Sequence, residues 1–352
     1  MINKIFLKAQ VECDDITETC SNKFDYVFTG LTEVEIPFFD VPNDYQIGLI
    51  VGPSGSGKST ILSKIGSVKK IVWSKNKAIC SAFKDSEEAM EKLGSVGLNS
   101  IPSWMKPYHV LSTGEKFRAD LSRRLHNDSV IDEFTSVVDR KVAVSCSFAL
   151  QRYIRNKNIQ RVTFATCHYD VIEWLQPDWV YDTQTQQLML GRGVERRPEI
   201  KLEVVPCTTK AWSMFSNHHY LNSNINKSAR CWLVSWGDEI VGFTAILPFP
   251  SGSLKNGWRE HRTVILPEFQ GLGFGVRVSD AIGKIVISNG GRYFSKTASD
   301  RMGMYRENNS AWRPTSKNKK CRPDYAASRL TKESKYKHKH ELRVCFSHEY
   351  IG

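Results

Sequence analysis

The chain has no run of about 18 apolar residues, the least that a membrane-spanning helix needs, so no integral membrane segment is expected. It has no cysteine pair two residues apart, and its nine cysteines are scattered and odd in number. That argues against a disulfide framework and fits reduced thiols in the cytoplasm. The first residues soon turn acidic at Glu12, Asp14 and Asp15, without the long apolar centre and small-residue cleavage site of a signal peptide. There is no internal repeat. His338, His340, Cys345 and His348 are spaced unlike any standard zinc finger, so no metal site is expected there.

What the chain has in excess is positive charge. The net is +12 over 352 residues, and residues 313–343 alone hold eleven Lys or Arg against three Asp or Glu. A basic segment interleaved with Tyr325 and Tyr336 suits a polyanion such as nucleic acid. A solvated terminus and contact with an anionic membrane surface remain open as alternatives. Hydrophobic content of 41% and charged content of 24% are ordinary for a globular protein, and the length supports about two domains.

Short apolar runs alternate with helical patterns from about residue 45 to 190, which predicts an α/β sheet. Residues 1–44 read as strands and turns punctuated by Pro37 and Pro42. A seam falls at 191–198, where Gly, Pro and charge cluster. Beyond it the pattern predicts a strand over about 200–206, a helix around Trp212–His219, and strands over 230–236 and 239–248. Gly237-Asp238 forms the hairpin turn between those last two. A strand near 261–266, a helix near 274–288 and a strand near 292–297 follow. The expected division is 1–195, 196–312, and a basic tail over 313–352 with a final strand.

Two glycine-rich loops lie where a strand should turn into a helix. The first, Gly52-Pro53-Ser54-Gly55-Ser56-Gly57-Lys58-Ser59-Thr60, follows the apolar run 47–51. Its glycines let backbone N–H groups wrap phosphates, Lys58 reaches the terminal phosphates, and Ser59 offers a hydroxyl to Mg²⁺. ATP is the expected ligand, with Gly52, Ser54, Gly55, Gly57, Lys58, Ser59 and Thr60 around it. Asp132 and Glu133 supply the carboxylates such a site needs, Asp132 for the metal and Glu133 to orient the attacking water.

These residues together resemble the ABC-type ATPase family. Leu111-Ser112-Thr113-Gly114-Glu115 is similar to its signature motif, with Thr and Glu replacing the usual Gly and Gln. Ser136-Val137-Val138-Asp139 is similar to its D-loop, and His168 to its switch histidine. The resemblance implies a head-to-tail homodimer with ATP between Lys58 of one copy and Ser112 and Gly114 of the other. In that arrangement Glu133 and His168 are catalytic. The segment between Lys58 and Ser112 is short and contains no glutamine, so a full helical subdomain and Q-loop are not expected. That points away from transport and toward a soluble role.

The second loop, Gln270-Gly271-Leu272-Gly273-Phe274-Gly275, follows the strand-like 262–266. It resembles the GNAT acyltransferase family, whose fold is α+β. The resemblance implies acetyl-CoA or a related acyl-CoA held by Gln270, Gly271, Gly273 and Gly275, and Tyr305 as the acid for the leaving thiolate. An aromatic packing on a helix face is the alternative for Tyr305. His219-Tyr220 offers a general base and a hydroxyl donor. It is similar to the His-Tyr-Ser motif of the phage Mom DNA-modification family, with Leu221 in place of the serine; a structural aromatic pair is the alternative.

The expectation is therefore an ATP-hydrolysing ABC-type domain followed by a GNAT-like N-acyltransferase acting on nucleic acid. A nucleic-acid-binding ATPase with a non-catalytic docking module, or the ATP-binding subunit of a transporter, stand as alternatives.

Overall fold

The computed structural model describes residues 3–191, 197–219, 224–250, 252, 254–321 and 344–352. The chain divides into two units, Met1–Pro198 and Glu199–Gly352. No helix among the described residues is long and apolar enough to cross a membrane.

The first unit opens with a two-stranded antiparallel sheet, β1 (Asn3–Gln10) and β2 (Leu31–Phe38). Between them lies helix α1 (Asp15–Lys23), where turns were expected. Asp14 starts it, its carboxylate accepting from Thr17 N at 2.8 Å while Thr17 Oγ1 accepts from Asp14 N at 2.8 Å. That reciprocal capping box is a local signal strong enough to nucleate a helix that buries none of its residues.

The main sheet has the order β4-β5-β3-β6-β7. Its strands are β3 (Ile47–Val51), β4 (Val130–Ile131), β5 (Val162–Thr166), β6 (Trp179–Asp182) and β7 (Gln187–Leu190). The first four run parallel and β7 is antiparallel. Every residue of β3 and β5 is buried, as expected for parallel strands covered on both faces. The helices are α2 (Lys58–Ile65), α3 (Ser86–Ser95), α4 (Ile101–Trp104), α5 (Thr113–Arg124), α6 (Arg140–Asn156) and α7 (Ile172–Leu175). Between Lys58 and Ser112 the chain makes only α2, the short α3 and α4 and two 3₁₀ turns.

The second unit is an eight-stranded sheet. It comprises β8 (Leu202–Cys207), β9 (Arg230–Trp236), β10 (Glu239–Pro248), β11 (Gly257–Ile265), β12 (Arg292–Thr297), β13 (Trp312–Pro314), β14 (Lys320–Cys321) and β15 (Val344–Tyr350). The order is β13-β15-β12-β11-β10-β9-β8, with β14 also on β15. Only β11 and β12 are parallel, as their connection through α8 (Phe274–Ser288) requires. On α8, Phe274, Val278, Ile282 and Val286 recur at helical spacing and are buried. Helix α9 (Asp300–Glu307) follows β12.

The helix expected around Trp212–His219 forms instead as 3₁₀ turns, Thr209–Met214 and Ser216–His218. Trp212 and Phe215 still reach the core, against Phe243 at 5.3 and 5.5 Å. The final strand, β15, is not appended at the edge: it pairs with both β12 and β13.

Candidate functional sites

In the first unit, the carboxyl ends of the parallel strands collect the candidate residues on one edge of the sheet. Val51 pairs with Thr166 and Ile131 with Phe164. The loop after β3, Asp132-Glu133 after β4, and His168 after β5 therefore leave the sheet in the same direction. Open α/β sheets bind ligands in the crevice beyond these ends.

The loop is built for backbone donors. Gly52 (φ 146°), Gly55 (φ 80°) and Gly57 (φ 86°) all occupy conformations that disfavour side-chain-bearing residues. Gly57 caps α2 without any side-chain bond, leaving the first N–H groups of the helix uncapped by a side chain. Lys58 folds over its own loop, Nζ donating to the carbonyls of Gly52 at 2.8 Å and Pro53 at 2.6 Å. Ser56 Oγ and Thr183 Oγ1, 2.6 Å apart, tie the loop to the end of β6. Ser59, in the first turn of α2, is exposed, as are Ser54 and Gly55, and Thr60 is half-buried.

Asp132 stands directly after β4 and accepts from Glu133 N at 2.9 Å. Glu133 is exposed with φ 52°, and the following residue is locked down by Phe134 N donating to Ala165 O at 2.8 Å. His168 N donates to Thr166 Oγ1 at 3.1 Å. Partial burial, then the Arg140 charge, lower the His168 pKa against the opposing pull of Asp170. Arg140 is held by Asp170, with Nε donating to Oδ2 at 2.9 Å. Neither Arg140 nor Thr183 carried a signal in the sequence.

The signature-like segment is a helix start. Ser112 caps α5 in a capping box, with its N donating to Glu115 Oε2 at 2.9 Å and its Oγ accepting from Glu115 N at 3.3 Å. A side chain at Gly114 would meet Val138 Cγ1 at 3.3 Å, so this segment lies against the D-loop-like one. Asp139 caps α6, accepting from Lys141 N at 2.8 Å and Val142 N at 3.2 Å.

The second unit offers a different opening. β11 and β12 pair only at Gly257–Arg292, Trp258–Tyr293 and Arg259–Phe294, and beyond these the two strands no longer pair. The register between β10 and β11 also slips between Ala245 and Ile246, leaving His261 as the extra residue of a bulge. On the α8 side the opening is filled by Glu260. Its Oε2 accepts from Arg306 Nη2 at 3.0 Å and from Ser295 Oγ, and its Oε1 from Thr263 Oγ1 at 2.7 Å. Burial alone would raise the Glu260 pKa; the Arg306 charge and these bonds outweigh it and hold the carboxyl below its usual range. Glu260 is thus a structural anion rather than a base.

The loop into α8 mirrors the first one. Gly271 (φ 106°) and Gly273 (φ 77°) are left-handed, and Gly273 caps α8 with no side-chain bond. Gln270 Nε2 donates to Ile265 O at 2.9 Å, fastening the loop to β11. At Gly275 a side chain would make only ordinary contact with Ile265 and Met302. Among the described helices of eight or more residues, α1, α3, α5, α6 and α9 are all capped by a side chain, whereas α2 and α8 are not.

His219 lies near His261, whose pKa falls to about 4 through burial first, then the charges of Arg262, Arg259 and His219. His261 Nε2 accepts from Asn226 N at 3.4 Å. His261 was not among the sequence candidates, because strand alternation does not reveal which residue a bulge will displace. Tyr305 sits on α9, as expected, but its hydroxyl donates to Asp280 Oδ2 and accepts from Asn309 Nδ2 at 2.9 Å. Burial, then Asp280, push its pKa up to about 12. To act as an acid it would have to surrender that bond.

Tyr220 lies outside the described residues, as do Tyr325, Tyr336, His338, His340 and most of the basic segment. His348 is buried with Nε2 2.8 Å from Glu307 Oε1. No group of three or more His, Cys, Asp or Glu able to hold a metal occurs among the described residues. Cys13, Cys20, Cys80, Cys146, Cys167, Cys207, Cys231 and Cys345 form no disulfide.

Residues 197–306 match the acetyltransferase (GNAT) family. The second unit carries a GNAT acetyltransferase domain. No curated protein matches the chain significantly. Among solved structures, a Bacillus subtilis acetyltransferase in complex with CoA is similar at 14% identity, covering 44% of this chain and 99% of its own, with a TM-score of 0.30. An IAA acetyltransferase from Bacillus cereus is similar at 11% identity over 43% of this chain and 99% of its own, TM-score 0.31. The dimeric form of a bacterial ABC transporter cassette is similar at 14% identity over 46% of this chain and 93% of its own, TM-score 0.35. These structural likenesses are weak, so the functional reading rests on the residues and the family match.

Proposed function

We propose that the chain is an ATP-dependent N-acyltransferase that modifies nucleic acid. The observation that carries this is the pair of helix starts, α2 and α8, left without a capping side chain and opened by left-handed glycines. A helix N-terminus carries about half a positive charge and unpaired donors, which diphosphate oxygens satisfy. The residues fit the two groups. Lys58 and Ser59 stand at the first start, and Asp132 lies on the same sheet edge to hold Mg²⁺ with Ser59. The second start opens beside the gap between β11 and β12, where a thioester arm would lie.

Bound acyl-CoA would supply the activated acyl group, and bound Mg²⁺ would offset phosphate charge. The remaining work falls to the chain. The N–H groups of the Gly271–Gly275 loop hold the carrier's diphosphate, and Gln270 keeps that loop on β11. As the amine nitrogen bonds to the acyl carbon the thioester C–S bond breaks and the carrier leaves as its thiolate; the neutral His261, beside His219, takes up the proton that the amine sheds once its Nε2 gives up the bond from Asn226 N. Glu133 orients water in the first unit, and His168 supports it. Pairing of two copies through Ser112 and Gly114 would make ATP an interface component and couple its turnover to clamping of the substrate. The nucleic-acid target is supported by the net charge of +12 and the His219-Tyr220 motif.

Incubation with DNA or RNA, acetyl-CoA, ATP and Mg²⁺, followed by digestion to nucleosides and mass spectrometry, tests this. An acyl mass shift on a base is expected. No shift on any base, together with acylation of a protein or small amine, rejects the nucleic-acid substrate. The commitment of Tyr305 to Asp280 favours a second reading, in which the GNAT fold only docks. In that case calorimetric titration with coenzyme A would be silent.

A further inference from the structure

The face of the second unit's sheet turned away from α8 carries an unusual set of side chains where β11, β12, β15 and β13 lie side by side. Along β12, Tyr293 and Ser295 are buried, whereas Arg292, Phe294 and Lys296 alternate with them on the more open side. Arg259 of β11 is the register partner of Phe294, and Glu349 of β15 is its partner on the other side. Arg259 is exposed. Phe249 meets Phe294 edge-on at 5.6 Å and is itself 37% exposed. The Arg292 guanidinium lies 5.3 Å from the Phe294 ring centre.

The acid on this face is already neutralised. Glu349 accepts from Arg292 Nε at 2.6 Å and Arg313 Nη2 at 2.8 Å. The side chains of those two arginines stay 49% and 60% exposed. The face therefore keeps an excess of positive charge around the exposed Phe249 and the half-buried Phe294. Helices α8 and α9 lie on the opposite face, Gly283 against Tyr350 and Gly303 against Phe346 of β15, while Glu349 on this face is buried beneath its two arginines.

We propose that this sheet face binds single-stranded nucleic acid, with bases stacked on Phe294 and Phe249 and phosphates paired with Arg259, Arg292 and Arg313. Charge complementarity selects a polyanion, and the aromatic rings select one with unpaired bases, since a duplex hides its base faces. The platform is continuous with the proposed acyl-transfer site: the Arg259 charge reaches His261, two residues along the same strand. A strand crossing the face would thus deliver a neighbouring base to the His219–His261 end. The proposal extends the nucleic-acid reading above by naming the form of the substrate and where it is held.

The test is fluorescence anisotropy of the full chain on a labelled single-stranded DNA oligonucleotide and on the duplex of the same sequence. Phe294→Leu keeps an apolar filler but removes the stacking face. It should weaken single-strand binding on the order of tenfold, in keeping with the loss of one base stack. Arg259→Gln, at an exposed position, should lower the slope of log affinity against log salt by about 0.7, the contribution of one phosphate on a single strand. Wild-type binding by both variants overturns the platform. So does equal loss on single strand and duplex, which would mean that charge alone is used. Nucleoside mass spectrometry separates this from the functional reading. Base acylation with unchanged binding in both variants rejects only the platform; impaired single-strand binding in the variants, with no base acylation by the wild type, rejects only the acyl-transfer reading.

Discussion

The geometry of the first loop predicts how harshly each glycine resists replacement. At Gly52 the backbone has φ 146°, and an added methyl carbon would lie 1.9 Å from Thr183 Oγ1 and 3.2 Å from Thr183 Cβ. The threonine cannot turn aside cheaply, because its hydroxyl is bonded to Ser56 Oγ at 2.6 Å and to Val51 O at 3.1 Å. Gly52→Ala therefore combines backbone strain of about 1–2 kcal/mol with overpacking of about 1–2 kcal/mol. A total near 3 kcal/mol should lower the melting temperature of the first unit by roughly 6–12 °C. Gly55 has φ 80° but nothing within 4 Å of an added carbon. Gly55→Ala should cost only the strain, about 1 kcal/mol and roughly 2–4 °C. Thr183→Ala in the Gly52→Ala background should restore part of the loss by removing the overlap. Calorimetric melts of the four proteins, with ATP titrations alongside, check the series. Equal melting temperatures for the two glycine variants would refute the loop conformation on which the phosphate-binding reading depends.

Glu133→Gln should leave ATP binding intact and trap a nucleotide-bound dimer, visible as a doubled mass in light scattering with ATP; a protein that stays monomeric contradicts the clamp. Gly273→Val puts a branched side chain at φ 77° where the acyl carrier's diphosphate would sit; it should abolish coenzyme A binding by calorimetry without changing ATP turnover. His261 has a folded-state pKa near 4 against an ordinary 6.5, so the unfolded chain binds the extra proton between those values. Stability should therefore fall as pH drops from about 6.5 to about 4, and His261→Gln should flatten that part of the profile in urea melts. The same imidazole stays neutral at pH 7, so acyl transfer should lose its base only well below pH 6.

Both glycine-rich loops were legible because their signal is local. A strand, a left-handed glycine and a helix start occupy about ten consecutive residues, and glycine's backbone freedom leaves few other readings. The hairpin at Gly237-Asp238 was legible for the same reason, its strands falling at Arg230–Trp236 and Glu239–Pro248. The helix Asp15–Lys23 went unread because its capping box uses Thr17 where Glu or Gln is usual.

The chain's order of residues thus determined where helix starts are left without a capping side chain, since short-range sterics decide that. Tertiary structure alone decided which side chains meet around those openings. His261 comes near His219 where β11 bulges against β10, and Glu260 is held as an anion by Arg306 from α9 with Ser295 and Thr263. The parallel pairing of β11 with β12 sets Arg259 beside Phe294, and β15, entering between β12 and β13, adds Glu349 and Arg313. A final strand was expected in the tail without its partners, which follow from the burial of whole faces, a property of the folded sheet rather than of any segment within it.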